Sequence, residues 1–250
     1  MLTRTFIHLP GVGARLEGRL WRAGILSWDD FIEAPSLPLI GRRRQAELAA
    51  RLREDRERLD EVGYWRRRLP PGEQWRLYGR FGGQTSFLDI ETSGLSVDRC
   101  GEVTVIGLFD GRAYRPFING YNLEEFEAAL EGIEVLVTFN GACFDLPFLK
   151  AYLRHLCLPP GHIDLRYPLK RLGLAGGLKK IEPFFGLARA EGVAHLDGWQ
   201  AVLLWRRFME GDRRALTTLI RYNRADTVNL KTIMDQTYDR LRVQLLGADV

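Results

Sequence analysis

Cysteine is scarce and unpatterned: Cys100, Cys143 and Cys157 are odd in number and form no CxxC pair. Neither a disulfide framework nor a zinc site is indicated, and reduced thiols are expected. No apolar run approaches the roughly 20 residues needed to span a bilayer. The opening MLTRTFIHLPG also lacks the apolar stretch of a signal peptide. A cytoplasmic protein with no membrane partner is the expectation. His8, His155, His162 and His195 are scattered without an HExxH pairing, so they read as surface or core residues. No GxxxxGK[ST] occurs, and Gly176 with Gly177 is too short a loop to cradle phosphates, so no nucleotide cofactor is expected. Lysine is missing from the first 80 residues altogether.

Arginine takes its place. Residues 1–80 hold 16 arginines against 11 acids, a net of +5, whereas the rest hold 20 basic and 21 acidic groups, a net of −1. An arginine-rich arm beside a near-neutral body suits a phosphate backbone. The alternative is a solvated helix, since Arg51, Arg53, Arg56 and Arg58 interleave with Glu54, Asp55, Glu57 and Asp60. The triplets Arg42, Arg43, Arg44 and Arg66, Arg67, Arg68 are less balanced and better suited to nucleic acid. At 250 residues and 46% hydrophobic content, the chain is long enough for one full core and an accessory segment.

The composition divides the chain near residue 82. In residues 1–40, Leu9, Val12, Leu16, Leu20 and Ile25 recur at helical spacing, and Gly11 and Gly13 permit a tight turn before a helix. Ser27, followed by Asp29 and Asp30, marks a second helix start. This segment resembles a helix-hairpin-helix module, whose glycine loop offers backbone N–H groups to a phosphate. A purely structural hairpin stays open. Residues 41–81 read as a charged helical linker, with a helix over 41–62 closed by Gly63 and a loop over 69–72.

Residues 82–240 read as an α/β domain. Strands are expected over 85–91, 102–109 and 113–118, the last two joined by the turn pair Asp110 and Gly111. Asn122 is placed to cap a helix reaching Leu130. The apolar run 133–139 reads as a buried central strand, 146–156 as a helix with Pro147 in its first turn, and 162–165 as a short strand. Helices around 178–185, 200–210 and 213–237 complete the order. Three antiparallel strands followed by helix, strand, helix, strand and helices is the order of a mixed, ribonuclease-H-like sheet flanked by helices.

Four acids and a tyrosine sit at pointed places in this order. Asp89 and Glu91 are two apart on one strand and share a face. Asp145 lies just past the end of a buried strand, where open α/β sheets gather ligands. Tyr222 and Asp226 are four apart, hence on one helix face. Converging carboxylates repel unless cations lie between them, and hard divalent ions choose such oxygens. Two ions together clamp the attacking and leaving oxygens of a phosphodiester.

These residues resemble a known family. DIETSGL is similar to the first motif of the DEDD 3′–5′ exonucleases, NGACFDLPFL to the second as found in proofreading domains of family B DNA polymerases. YNRAD is similar to the third motif in its tyrosine form; the histidine form would place His where this chain has Arg221. The resemblance covers about residues 85–235. WRLYGRF, GGLKKIEPFFGL and the glycine loop further resemble the YprB-type bacterial branch. The resemblance implies a DEDDy exonuclease acting on DNA or RNA at a single-stranded 3′ end with two Mg²⁺ or Mn²⁺ ions. Asp89, Glu91 and Asp226 would hold metal, Asp145 would do so directly or through water, and Tyr222 would orient the attacking water. Thr92, Asn140, Phe144 and Lys179 are candidates to grip the substrate, with Gly11 and Gly13 in the arm. Core packing stays open for Phe144, and Lys179 and Lys180 could simply cover a helix end. Asp164 is either a supporting acid or a turn residue, and Trp199 and Trp205 are expected as core anchors. A structure-selective endonuclease and a non-catalytic nucleic-acid-binding adaptor are the rival functions.

Overall fold

The computed structural model describes residues 1–247. Two compact units emerge, Met1–Gly83 with Tyr238–Val250, and Gln84–Thr237.

In the first unit the chain folds into short helices. Gly11 takes a left-handed φ of 69° that a side chain would strain, and Gly13 is the N-cap of α1 (Ala14–Arg22). Ser27 accepts from Asp30 N and Asp30 returns a bond to the Ser27 backbone, a full capping box for α2 (Trp28–Glu33). The charged helix α3 (Arg42–Glu57) ends before Gly63, and α4 (Val62–Arg68) runs through that glycine. Gly63 therefore does not close the helix; burial of Val62 and Trp65 outweighs its poor helical propensity. The expected loop at 69–72 gives way to 3₁₀ structure over Pro71–Leu77, leading to α5 (Tyr78–Phe81). Buried charges in this unit are paired. Arg76 binds Glu17 at 2.7 and 2.8 Å and Glu73 at 2.7 Å, and His8 bonds Asp55 at 3.0 Å.

The second unit is built on a five-stranded sheet of order β3-β2-β1-β4-β5. β1 (Thr85–Thr92), β2 (Val103–Phe109) and β3 (Tyr114–Ile118) are antiparallel, while β4 (Val135–Thr138) and β5 (Gly161–Asp164) run parallel to β1. This mixed arrangement matches the fold expected from the motif order. The apolar run forms β4, a fully buried interior strand between β1 and β5, and β1 lies at the middle of the sheet. At the β2–β3 turn Asp110 Oδ1 accepts from Arg112 N and Ala113 N, both at 2.8 Å, beside Gly111. The helix expected after Asn122 is instead two 3₁₀ turns, because Asn122 Oδ1 accepts from Ile118 N and is spent on the strand end.

Alternation along β1 sorts its residues to two faces. Leu88 and Ile90 enter a core with Ile106, Leu108, Phe126 and Leu149 of α6 (Asp145–Tyr152). Asp89 and Glu91 face the other way, where Val105, Trp205 of α9 (Gly198–Met209) and Leu219 and Tyr222 of α10 (Arg213–Leu246) form a second core. Two short helices, α7 (Arg166–Arg171) and α8 (Leu178–Ile181), lie between in sequence. α10 runs past the expected end near 237, and its residues from Tyr238 belong to the first unit.

Candidate active site

A glycine lets the last helix reach the acids. Gly107 on β2 pairs with Asp89 across the sheet, and a Cβ there would lie 2.1 Å from Asn223 Oδ1 and 2.3 Å from Thr227 Oγ1. Without a side chain at 107, α10 approaches closely enough for Asn223 Nδ2 to donate to Asp89 Oδ2 at 2.9 Å. Tyr114 hydroxyl donates to Asn223 Oδ1 at 2.8 Å and fixes the amide's orientation. Sequence reasoning missed both Gly107 and Asn223. The only signal was a glycine inside an otherwise apolar strand, which marks close backbone approach.

The approach gathers Asp89, Glu91 and Asp226, which each offer a carboxylate oxygen within 4.8 Å of the others. Glu91 Oε1 is buried and has no hydrogen-bond partner. A lone pair held this way, beside the carboxylates of Asp89 and Asp226, fits a hard divalent cation. Asp145 lines the same cavity at the N-terminus of α6 but is turned to the sheet, its Oδ1 accepting from Ile90 N at 3.1 Å. Tyr222 hydroxyl is hydrogen-bonded to Asp226, with Lys179 Nζ and the Arg189 guanidinium 5.5 and 5.6 Å from its ring centre.

Electrostatics follow from this crowding. Burial, then the charges of Asp226, Glu91 and Asp145, lift Asp89 well above the ordinary carboxylate range. Burial and Asp226 do the same to Glu91. Burial pushes Asp145 up to about 7, against the two backbone N–H groups that favour its charge. Asp226 is raised by burial too, but Arg189 opposes the shift. Tyr222 is raised above a free phenol, by burial first and then by Asp226.

Arg189, which no motif contains, is the one cation in direct contact with the cluster among the described residues. It donates to Asp226 and, at 2.7 and 2.8 Å, to both oxygens of Glu182. Asn229 Nδ2 in turn donates to Glu182 Oε1 at 2.8 Å. The charged guanidinium is buried at a cost that Glu182 and Asp226 together offset.

The substrate candidates divide. Thr92, Asn140 and Phe144 line the cavity with the acids, while Lys179 turns to the Tyr222 ring. Asn140 adopts a left-handed φ of 68°, held by Asp164, whose oxygens accept from Asn140 N, Ala142 N and Arg166 N at 2.9, 3.1 and 3.0 Å. Asp164 is thus the turn residue. Phe144 is exposed and packs at a tilt against Phe148 with ring centres 5.9 Å apart, so it is not core. Trp205 is buried as expected, but Trp199 is 58% exposed and lines the cavity, which corrects its reading as a core anchor. The helical phase explains it: six residues separate the two, so they face different sides of α9. Gly11 lines a separate cavity of the first unit with Arg42, Arg43, Arg44 and Arg51, where Arg44 Nη2 donates to Gly11 O at 2.9 Å, whereas Gly13 is not among its lining residues.

A raised carboxyl holds its proton more tightly folded than unfolded, so its stabilising effect is present at low pH and lost as pH rises. For Asp145 that window runs from the ordinary value of 3.8 to about 7. Without metal, Asp145→Asn should melt close to wild type near pH 4 and progressively above it as pH rises, levelling beyond pH 7. Thermal melts in EDTA across this range check it, and a constant difference would contradict the assigned shift.

Comparison with known proteins agrees with the fold. The family profile described as RNase_H superfamily matches residues 86–238. The chain belongs to the RNase_H superfamily. No curated protein matches it. Among solved structures, it is similar to the family B DNA polymerase from the hyperthermophilic archaeon Pyrobaculum calidifontis at 17% identity and a TM-score of 0.50. That likeness covers 65% of this chain but 25% of the polymerase, so the chain spans about a quarter of that protein. A structure described as the apo form of a nuclease is similar at 17% identity over 68% of this chain and 78% of its own, with a TM-score of 0.46. No helix among the described residues is long and apolar enough to cross a membrane.

Proposed function

We propose that the protein is a divalent-metal-dependent nuclease of the tyrosine DEDD type, removing nucleoside monophosphates from 3′ ends of DNA or RNA. The observation that carries this is the trio Asp89, Glu91 and Asp226 within 4.8 Å, with Glu91 Oε1 buried and unpartnered. Those three residues supply ligand oxygens for Mg²⁺ or Mn²⁺, and Asp145 joins directly or through water. When bound, two such ions supply positive charge to the attacking and leaving oxygens of a phosphodiester. Tyr222, whose hydroxyl is hydrogen-bonded to Asp226, orients the attacking water. Asn140, Thr92 and Phe144 steady the terminal nucleotide from the cavity walls. The preference for a 3′ end rests on the motif resemblance, because the same acids also suit internal cutting. Linear and circular single strands of DNA and RNA, incubated with Mg²⁺, test it. Degradation of linear strands alone supports an exonuclease; equal cutting of circles supports the endonuclease.

The arm extends the reading. Gly11, Arg42 and Arg51 are proposed to hold backbone phosphate at the basic cavity of the first unit. Replacing Arg42 and Arg51 by Gln should flatten the fall of affinity with salt by about 0.7–0.9 in log–log slope for each phosphate released. Turnover of short oligonucleotides should be unchanged. An unaltered slope on long strands would make the arm structural.

A further inference from the structure

Exposed large hydrophobic side chains gather where the acids are. Leu95 (49%), Phe144 (44%) and Trp199 (58%) all line the cavity of about 1040 Å³ whose floor carries Asp89, Glu91, Asp145 and Asp226. A cavity that size lies at the top of the roughly 300–1,000 Å³ typical of ligand sites. Leaving a tryptophan so open costs burial that a core position would recover, and nothing in the metal chemistry needs it.

The placement of Trp199 is built. It sits in the first turn of α9, which Asp197 fixes by accepting from Gln200 N at 2.9 Å while Gln200 Oε1 accepts from Asp197 N at 2.8 Å. One turn on, Val202 packs tightly under the loop after β1, where a Cβ on Gly94 would meet it at 3.0 Å. Farther along the helix the Arg206 guanidinium lies 5.5 Å from the Trp199 ring centre. An exposed indole beside a cation, opening onto the floor of acids, has one well-suited occupant. That occupant is a nucleobase, with its flanking phosphate near arginine.

We propose that Trp199 is a stacking platform for an unpaired base of the strand whose phosphodiester reaches the acid floor, with Arg206 meeting the adjoining phosphate. It lies outside the three sequence motifs. The proposal rests on the nuclease reading.

Binding is read by fluorescence anisotropy in an Asp89→Asn background, which stops turnover, using a short single strand labelled at its 5′ end. Trp199→Ala should weaken binding about 5- to 150-fold, the range that loss of one base–aromatic stack produces. Trp199→Phe should restore most of it. A strand with abasic sites at its last positions should bind the parent weakly and lose nothing further in the Ala variant. With Asp89 restored and Mg²⁺ present, the same Ala change should raise KM far more than it lowers kcat. Equal affinity of parent and Ala variant for the natural strand, or an equal loss on the abasic strand, would overturn the platform. Should the wild type bind in this pattern yet hydrolyse nothing, the platform stands and the nuclease reading falls.

Discussion

Asp89→Asn should abolish hydrolysis while leaving the metal-free protein as stable as wild type or more so. Asp89 faces Glu91 and Asp226 with a carboxyl already raised by burial and by their charges. Asn imitates the protonated form the metal-free site prefers, and it can still accept from Asn223 Nδ2, which bonds Asp89 at 2.9 Å. Activity should fall by more than about 10³-fold, the upper end of the cost of removing one electrostatic stabiliser of the transition state. Asp226 behaves differently, although both are simply motif acids when read along the chain. Asp226→Ala removes a partner of buried Arg189, and breaking such a pair costs up to about 3–5 kcal/mol. The cost should be smaller here because Glu182 keeps both of its bonds to Arg189. Activity assays beside thermal melts in EDTA check both substitutions. Near-normal turnover of Asp89→Asn with Mg²⁺ would end the metal-site account.

Tyr222→Phe should slow hydrolysis on the order of 10²–10⁴-fold, the usual cost of removing a positioned proton-handling group. Metal affinity should hardly change, because the ring keeps its packing in the core beside Trp205 and Leu219. The hydroxyl is hydrogen-bonded to Asp226, a proposed metal ligand, so the contribution assigned to it is orientation. Single-turnover rates with calorimetric titration of Mn²⁺ separate the two effects. An unaltered rate would make Tyr222 a packing residue.

The elements that carry the acids were legible because short-range rules govern them. Period-two alternation put Asp89 and Glu91 on one strand face, and a four-residue spacing put Tyr222 and Asp226 on one helix face. The strands and the Asp110 turn were legible for the same reason. What escaped depends on contacts between distant residues. Asn223 reaches Asp89 across 134 residues, and Arg189 reaches Asp226 across 37, distances at which spacing carries no information. Gly63 inside α4 and the exposed face of Trp199 escaped because neighbouring burial and helical phase, not residue type, decide them. Asn122 misled because its side chain bonds back to the strand instead of capping a helix.

The most direct test of the central claim is the fate of a 5′-labelled single strand incubated with the 250-residue protein and Mg²⁺. Stepwise shortening from the 3′ end with release of nucleoside monophosphates, abolished by EDTA and by Asp89→Asn, is the predicted result. An intact strand with either Mg²⁺ or Mn²⁺, or cleavage that EDTA leaves unchanged, would contradict it.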